Sequence, residues 1–266
     1  MDDRAAHTPT KLPIVRFGTF EAKGSPMLTE MIGPLRAHLT RGSDDEGGGQ
    51  GPVVVLLHGF GAPGTDLVGL AEDLGGPENT RFVFPEAPEL ADVGMPPPHA
   101  GRAWWQIDML NLQLAVMGRN WEALAEHVPD GLADARAKLE EFLLALDSRL
   151  EIGDAPLVLG GFSQGAMLTC DVALHSQRSF AGLLLFSGSV ISRSAWLARL
   201  EQHAPLAVFQ SHGRQDPVLP FPLAEQLHRH FVARGWNARW VPFDGGHGIG
   251  GEALRGARAF LADVLK

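Results

Sequence analysis

At 266 residues, with 45% hydrophobic and 20% charged side chains, the chain can bury a core of its own and reads as an ordinary globular protein. A net charge of −9 argues against the basic face that phosphate or nucleic-acid binding needs, and mildly favours neutral or cationic ligands. One cysteine, Cys170, excludes an intramolecular disulfide, and the longest apolar runs, VVVLL and LLLF, are far too short to insert stably in a membrane.

Residues 1–12 read as a loose terminus, and the opening MDDRAAHTPTKLPI lacks the apolar stretch of a secretory signal, so a cytoplasmic protein is expected. PIVRFGTF (13–20) and part of PLRAHLTR (34–41) are candidate early strands, and GSDDEGGGQGP (42–52) reads as a solvated loop. VVVLLHG (53–59) is an unbroken run ending in glycine, the pattern of a strand buried on both faces of a parallel sheet. A short helix is predicted at 65–75 and a strand at 81–88. Residues 91–105, with three consecutive prolines, cannot be regular structure, and they open a proline-rich excursion over 91–112.

Residues 131–146 place Leu132, Ala135, Leu139, Phe142, Leu143 and Leu146 on one helical face. Strand 155–162, helix 164–175, strand 181–188, strand 204–213, helix 222–235, strand 237–245 and helix 252–265 follow. Strands alternating with helices imply an α/β fold, a mostly parallel sheet with helices on both faces, as a single domain over 1–266.

GGFSQGAML (160–168) carries a serine with glycine two places before and two places after it. The bare pattern recurs by chance in a chain with 32 glycines, so its context decides. Here the serine lies between a buried strand and an amphipathic helix with no loop between them. A side chain at Gly161 or Gly165 would collide with neighbouring backbone, and the sharp turn would lift Ser163 over the carboxyl end of the sheet. A nucleophilic serine needs a base, and the base needs an acid to orient it. In such a sheet the acid and then the base follow on loops after later strands. SHGRQDP offers Asp216 and DGGHGIGG offers His247. Glu86 and Asp108 remain alternative acids; Asp244, His212, His228 and His230 are weaker competitors. Two backbone donors for an oxyanion are expected at Gln164, directly after the serine, and at Phe60 in LHGFGAPG (57–64), where His58 reads as a turn brace.

LLHGFGAPGTDL, FPEAP, RAWWQID, GGFSQGAML, SHGRQDPVLP and GGHG, in this order, resemble the phospholipase/carboxylesterase family of α/β-hydrolases, over about residues 50–265. The resemblance implies the α/β-hydrolase fold, Ser163, Asp216 and His247 as a catalytic triad, the Phe60 and Gln164 amides as the oxyanion hole, and no metal or organic cofactor. Ala62 stands where family members often carry an aspartate, and residues 106–130 differ from the thioesterases of the family.

Trp104, Trp105, Ile107, Met109, Leu110 and Leu112 sit on the excursion above the sheet's carboxyl end, where an apolar lining suits an acyl chain; core packing is the alternative for each. Cys170 reads as a core residue. The expected activity is hydrolysis of carboxylic esters of short to medium acyl groups through an acyl-enzyme, on a small-molecule substrate. Lysophospholipase or thioesterase action on longer chains is the alternative, and a non-catalytic binding protein of the same fold is the rival from another class.

Overall fold

Buried runs of β-branched and leucine residues, each followed by an amphipathic stretch, build one sheet with helices against both faces. The computed structural model describes residues 27–90 and 101–266. The strands are β1 (Leu28–Ile32), β2 (Leu35–Gly42), β3 (Glu46–Gly48), β4 (Val53–Leu57), β5 (Arg81–Pro85), β6 (Leu157–Phe162), β7 (Gly182–Phe186), β8 (Ala207–Gly213) and β9 (Asn237–Phe243). The helices are α1 (Leu70–Leu74), α2 (Met109–Met117), α3 (Trp121–Glu126), α4 (Leu132–Leu150), α5 (Gln164–His175), α6 (Arg193–Leu200), α7 (Phe221–Ala233) and α8 (Gly251–Val264).

The strand order is β1-β2-β5-β4-β6-β7-β8-β9, with β3 added beside β2. From β5 to β9 every pairing is parallel, whereas β2 runs antiparallel to both β1 and β5. The sheet is the mixed, mostly parallel one of an α/β-hydrolase. In β4, Val53, Val55 and Leu57 join one core while Val54 and Leu56 join the other, because successive side chains leave a strand on opposite faces. α4, α5, α6 and α7 cover the first face, and α1 and α8 cover the second. The predicted face of α4 is buried at all six positions.

Several expectations need correction. The stretch 42–52 is not simply a loop: β3 forms there because the Asp44 carboxylate accepts from the Glu46 and Gly48 N–H groups, both at 2.9 Å, and folds the turn back on β2. The helix predicted at 65–75 shrinks to α1, since Asp66, Val68 and Leu70 each donate to the carbonyl three residues back, closing tight turns first. α2, which was not anticipated, begins beyond the stretch expected to be irregular, and Asp108 caps it by accepting from the Asn111 N–H at 3.0 Å. α3 and α6 were not anticipated. Residues 1–12, the strand expected at 13–20 and residues 91–100 lie outside the described residues. Among the described residues, no helix is long and apolar enough to cross a membrane.

Candidate active site

The chain reverses between β6 and α5 in a single residue. Ser163 sits there at φ 55°, ψ −115°, a backbone conformation that side-chain-bearing residues seldom adopt. Neighbouring backbone forces the turn to be that tight. A Cβ on Gly161 would lie 2.7 Å from the Leu57 carbonyl oxygen, and one on Gly165 would lie 2.7 Å from that of His58. Glycine at both positions lets strand end and helix start press against the end of β4. The Ser163 N–H donates to the Phe186 carbonyl at 2.9 Å, tying the turn to β7.

Loops after β8 and β9 bring two more side chains to the serine. Ser163 Oγ lies 2.8 Å from His247 Nε2, and His247 Nδ1 lies 2.6 Å from Asp216 Oδ2. An ionised carboxylate only accepts, so Nδ1 carries the proton and Nε2 presents its lone pair to the serine hydroxyl. Asp216 Oδ1 accepts from the Val218 and Leu219 N–H groups at 2.8 and 2.9 Å. Burial pushes the Asp216 carboxyl up, but hydrogen bonds from His212 and His247 outweigh it and hold the group well below the usual carboxylate range. The Phe162 ring packs on the His247 imidazole with centroids 5.0 Å apart.

Two features of this array were not read from the sequence. Ser187, at φ 49°, donates its hydroxyl to the Gly248 carbonyl at 2.7 Å and so braces the loop beside His247. The Gln164 side chain accepts from the Trp104 N–H at 2.9 Å and donates to the Trp105 carbonyl at 2.8 Å, fastening the excursion to the serine turn. The motif glutamine was the only available signal for that fastening, and a side-chain clamp has no periodicity to betray it.

The loop after β4 completes the surroundings. A Cβ on Gly59 would lie 3.4 Å from Ser163 Cβ, so the backbone leading into Phe60 runs directly beside the serine. The Gly61 N–H is already spent on the Arg102 carbonyl at 2.8 Å. Gln164 is the first residue of α5, and its N–H has no carbonyl to meet within the helix. His58 braces the turn: Nδ1 lies 2.8 Å from the Gly59 carbonyl and Nε2 accepts from the Ala87 N–H at 3.1 Å. Burial drives its imidazole down to about 4.

A cavity of about 330 Å³ opens beside the array, walled by Trp105, Ile107, Leu112, Met167, Leu219 and Leu223 among others. Met167 is one helical turn beyond Ser163, and Leu219 lies three residues beyond Asp216. Of the residues expected to line an acyl site, Trp105, Ile107 and Leu112 do line this cavity. Trp104 does not: its indole N–H is drawn to the His58 carbonyl at 3.0 Å, and the ring packs in the core. Met109 and Leu110 do not line it either, because α2 turns Asn111, Leu112 and Ala115 inward and leaves Leu110 66% exposed. Met109 borders a separate groove with Met117 and Pro217.

The competing side chains are engaged elsewhere. Glu86 is buried against His38 (2.8 Å) and Arg102 (2.9 Å), Asp108 caps α2, and Asp244 is exposed beside Arg214. His228 stacks on Trp240, and His230, two residues further along α7, is half-buried near Arg193, Arg229 and Arg234. Cys170 is buried, and its thiol is pushed up by that burial. Among the described residues, no group of three His, Cys, Asp or Glu side chains is arranged to hold a metal ion.

Residues 46–265 match the model of the phospholipase/carboxylesterase family. The chain belongs to that family. It is a hydrolase of the esterase/thioesterase type within the α/β-hydrolase superfamily. It is 32% identical over 217 residues to acyl-protein thioesterase 1 of Eremothecium gossypii, covering 78% of this chain and 85% of that protein. The same protein of Kluyveromyces lactis is 29% identical over 193 residues, 67% of this chain and 75% of the relative. Among solved structures, esterase PE8 superimposes with a TM-score of 0.68 at 28% identity, covering 88% of this chain and 98% of that one. The Bacillus cereus carboxylesterase, at 20% identity and a TM-score of 0.63 over 87% and 95% of the two chains, shares the fold of this family member.

Proposed function

We propose that this protein cleaves carboxylic esters of short to medium acyl groups through an acyl-enzyme, with Ser163 as nucleophile, His247 as general base and acid, and Asp216 orienting the imidazole. The observation that carries this reading is the unbroken line Asp216–His247–Ser163, with bonds of 2.6 and 2.8 Å at a strained strand-to-helix turn. Ser163 Oγ attacks the acyl carbonyl carbon while its proton passes to His247 Nε2. The carbonyl oxygen becomes an oxyanion, for which the Phe60 and Gln164 N–H groups are the donors. Collapse breaks the bond to the alcohol oxygen, which leaves with the proton from Nε2. A water then enters, gives its proton to Nε2 and attacks the acyl carbon, and the released Ser163 takes that proton back. No step needs a metal or an organic cofactor.

The acyl group is assigned to the cavity beside Met167 and Leu219. Its 330 Å³ lies near the lower end of the roughly 300–1,000 Å³ of small-ligand sites, which favours short to medium chains. A second reading, thioester cleavage, is favoured by the similarity to proteins named acyl-protein thioesterase 1. A fluorophosphonate probe should label the wild type and not Ser163→Ala. Paired p-nitrophenyl esters and acyl thioesters of equal chain length then separate the two leaving groups. Equal labelling of the Ser163→Ala protein would end the nucleophile assignment, as would the absence of labelling in the wild type.

A further inference from the structure

Asp216 is gripped by a second histidine, and we infer that His212 is a positioning residue, the group that fixes the carboxylate on which His247 turns. The inference rests on the proposed roles of Ser163, His247 and Asp216. His212 is the penultimate residue of β8 and is fully buried. Its Nε2 lies 2.8 Å from the Leu219 carbonyl oxygen and 3.1 Å from Asp216 Oδ2, the same oxygen that accepts from His247.

The direction of that bond follows from its other partner. A carbonyl oxygen only accepts, so Nε2 carries the hydrogen and shares it between Leu219 and Asp216. Nδ1 has no hydrogen-bond partner among the described residues, and the Phe221 ring stands edge-on with its centroid 6.2 Å away. A second N–H at Nδ1 would be buried with nothing to accept it, which favours a ring with its one proton on Nε2.

His212 therefore gives Asp216 its fourth donor. Val218 and Leu219 occupy Oδ1, and His247 and His212 occupy Oδ2. With His212 in place the carboxylate cannot rotate away from His247 without losing a bond on either oxygen. Without it, Oδ2 keeps His247 alone, so the carboxylate is less firmly held and is less well stabilised as an anion while His247 holds the serine proton. The burden falls on the transition state, so kcat should fall and KM should stay. His212 also ties down Leu219, a wall of the cavity, so a short ester that scarcely enters the cavity is the proper probe.

The test is steady-state hydrolysis of p-nitrophenyl acetate by His212→Phe, His212→Gln, Asp216→Asn and the His212→Phe/Asp216→Asn double variant, with Ser163→Ala as reference. His212→Phe should lower kcat by about 10–100-fold, the usual cost of losing a group that orients a functional side chain, with KM within about twofold. His212→Gln, which can still donate, should stay within about fivefold of wild type. In the Asp216→Asn background, His212→Phe should cost less than about threefold, because residues that act as a unit are not additive. Equal fold-losses in both backgrounds, or His212→Phe within twofold of wild type, would overturn the role. An inactive Ser163→Ala in the same assay keeps that failure separate from failure of the nucleophile assignment. Should His212→Phe not fold, by circular dichroism, His212→Asn replaces it: its amide is too short to reach Oδ2, and a loss equal to that of His212→Gln would also overturn the role.

Discussion

Gly213 and Gly246 meet backbone to backbone: a Cβ on Gly213 would lie 2.5 Å from the Gly245 carbonyl oxygen and closer still to that of Gly246. The loop carrying His247 can reach the loop carrying Asp216 only because nothing projects from Gly213. The pairing is held by Arg214 and Gln215 N–H groups donating to the Phe243 and Gly245 carbonyls, both at 2.9 Å. Gly213→Ala should therefore separate His247 from Asp216 by a fraction of an ångström to an ångström, enough to lower kcat about 10²-fold. Measured kcat within threefold of wild type, in a protein of unchanged melting temperature, would contradict this account.

Replacing the reacting groups should have graded effects. Ser163→Ala and His247→Ala should each lower kcat by about 10⁶, and Asp216→Asn by about 10⁴ through the wrong imidazole tautomer. Ser163→Gly should lose activity as fully while gaining about 1 kcal/mol of stability, since glycine relieves the strained φ of 55°. Denaturant unfolding of the alanine and glycine variants side by side reads that strain directly. An Asp216→Asn protein within tenfold of wild type would point to another acid.

The central sheet was legible because its strands are buried on both faces: VVVLL at β4 and GLLLF at β7 need no amphipathic reading. The meeting of residues 163, 216 and 247 was legible from strand ends, since parallel strands deliver their following loops to one edge. α2 was not, because MLNLQLAVM is apolar at all but Asn111 and Gln113 and buries none of its residues, which leaves no clear period to read. β3 was hidden for a different cause: its turn is made by one aspartate and two left-handed glycines, Gly42 and Gly47, in a stretch with the composition of a loop. Trp104 was misplaced because an indole can be claimed by one buried carbonyl, and no pattern in the sequence announces that bond.

Phe60 should matter through its backbone. Phe60→Ala keeps the N–H and should cost little, whereas Phe60→Pro deletes it and should lower kcat by about 10²–10³. Circular dichroism guards against a loop that has simply come apart. Small and equal effects from both substitutions would place the second oxyanion donor elsewhere.

Two titrations, of buried His58 and partly buried Asp66, set opposite trends of stability in acid. His58 falls from 6.5 unfolded to about 4 folded, so the unfolded chain takes up the proton first as pH drops. Its contribution is intact above pH 6.5 and is lost between pH 6.5 and 4, to the extent of about 3 kcal/mol. Asp66 goes the other way: burial raises it from 3.8 to about 6, so the folded state is penalised above pH 6 and relieved as pH falls toward 3.8. Asp66→Asn should therefore raise the melting temperature at pH 8 and leave it nearly unchanged at pH 4. A stabilisation of equal size at both pH values would show that the gain is not electrostatic.

The two tryptophans of RAWWQID should separate packing from specificity. Trp105 walls the cavity beside Ile107 and Leu112, whereas Trp104 is fixed under the loop after β4 by the His58 carbonyl and the Gln164 side chain. Each methylene of an acyl chain buried in the cavity contributes about 0.8 kcal/mol, near fourfold in kcat/KM, until the space is full. A p-nitrophenyl ester series on the wild type should rise with chain length and then drop. Trp105→Ala enlarges the cavity, so its optimum should move to longer chains while acetate turnover stays within a few-fold. Trp104→Ala leaves a void in the core and frees the His58 carbonyl. It should lower stability by about 3–5 kcal/mol and depress all chain lengths alike. If Trp105→Ala shows the uniform loss and Trp104→Ala the shifted optimum, the acyl group lies on the opposite side of the excursion from this cavity.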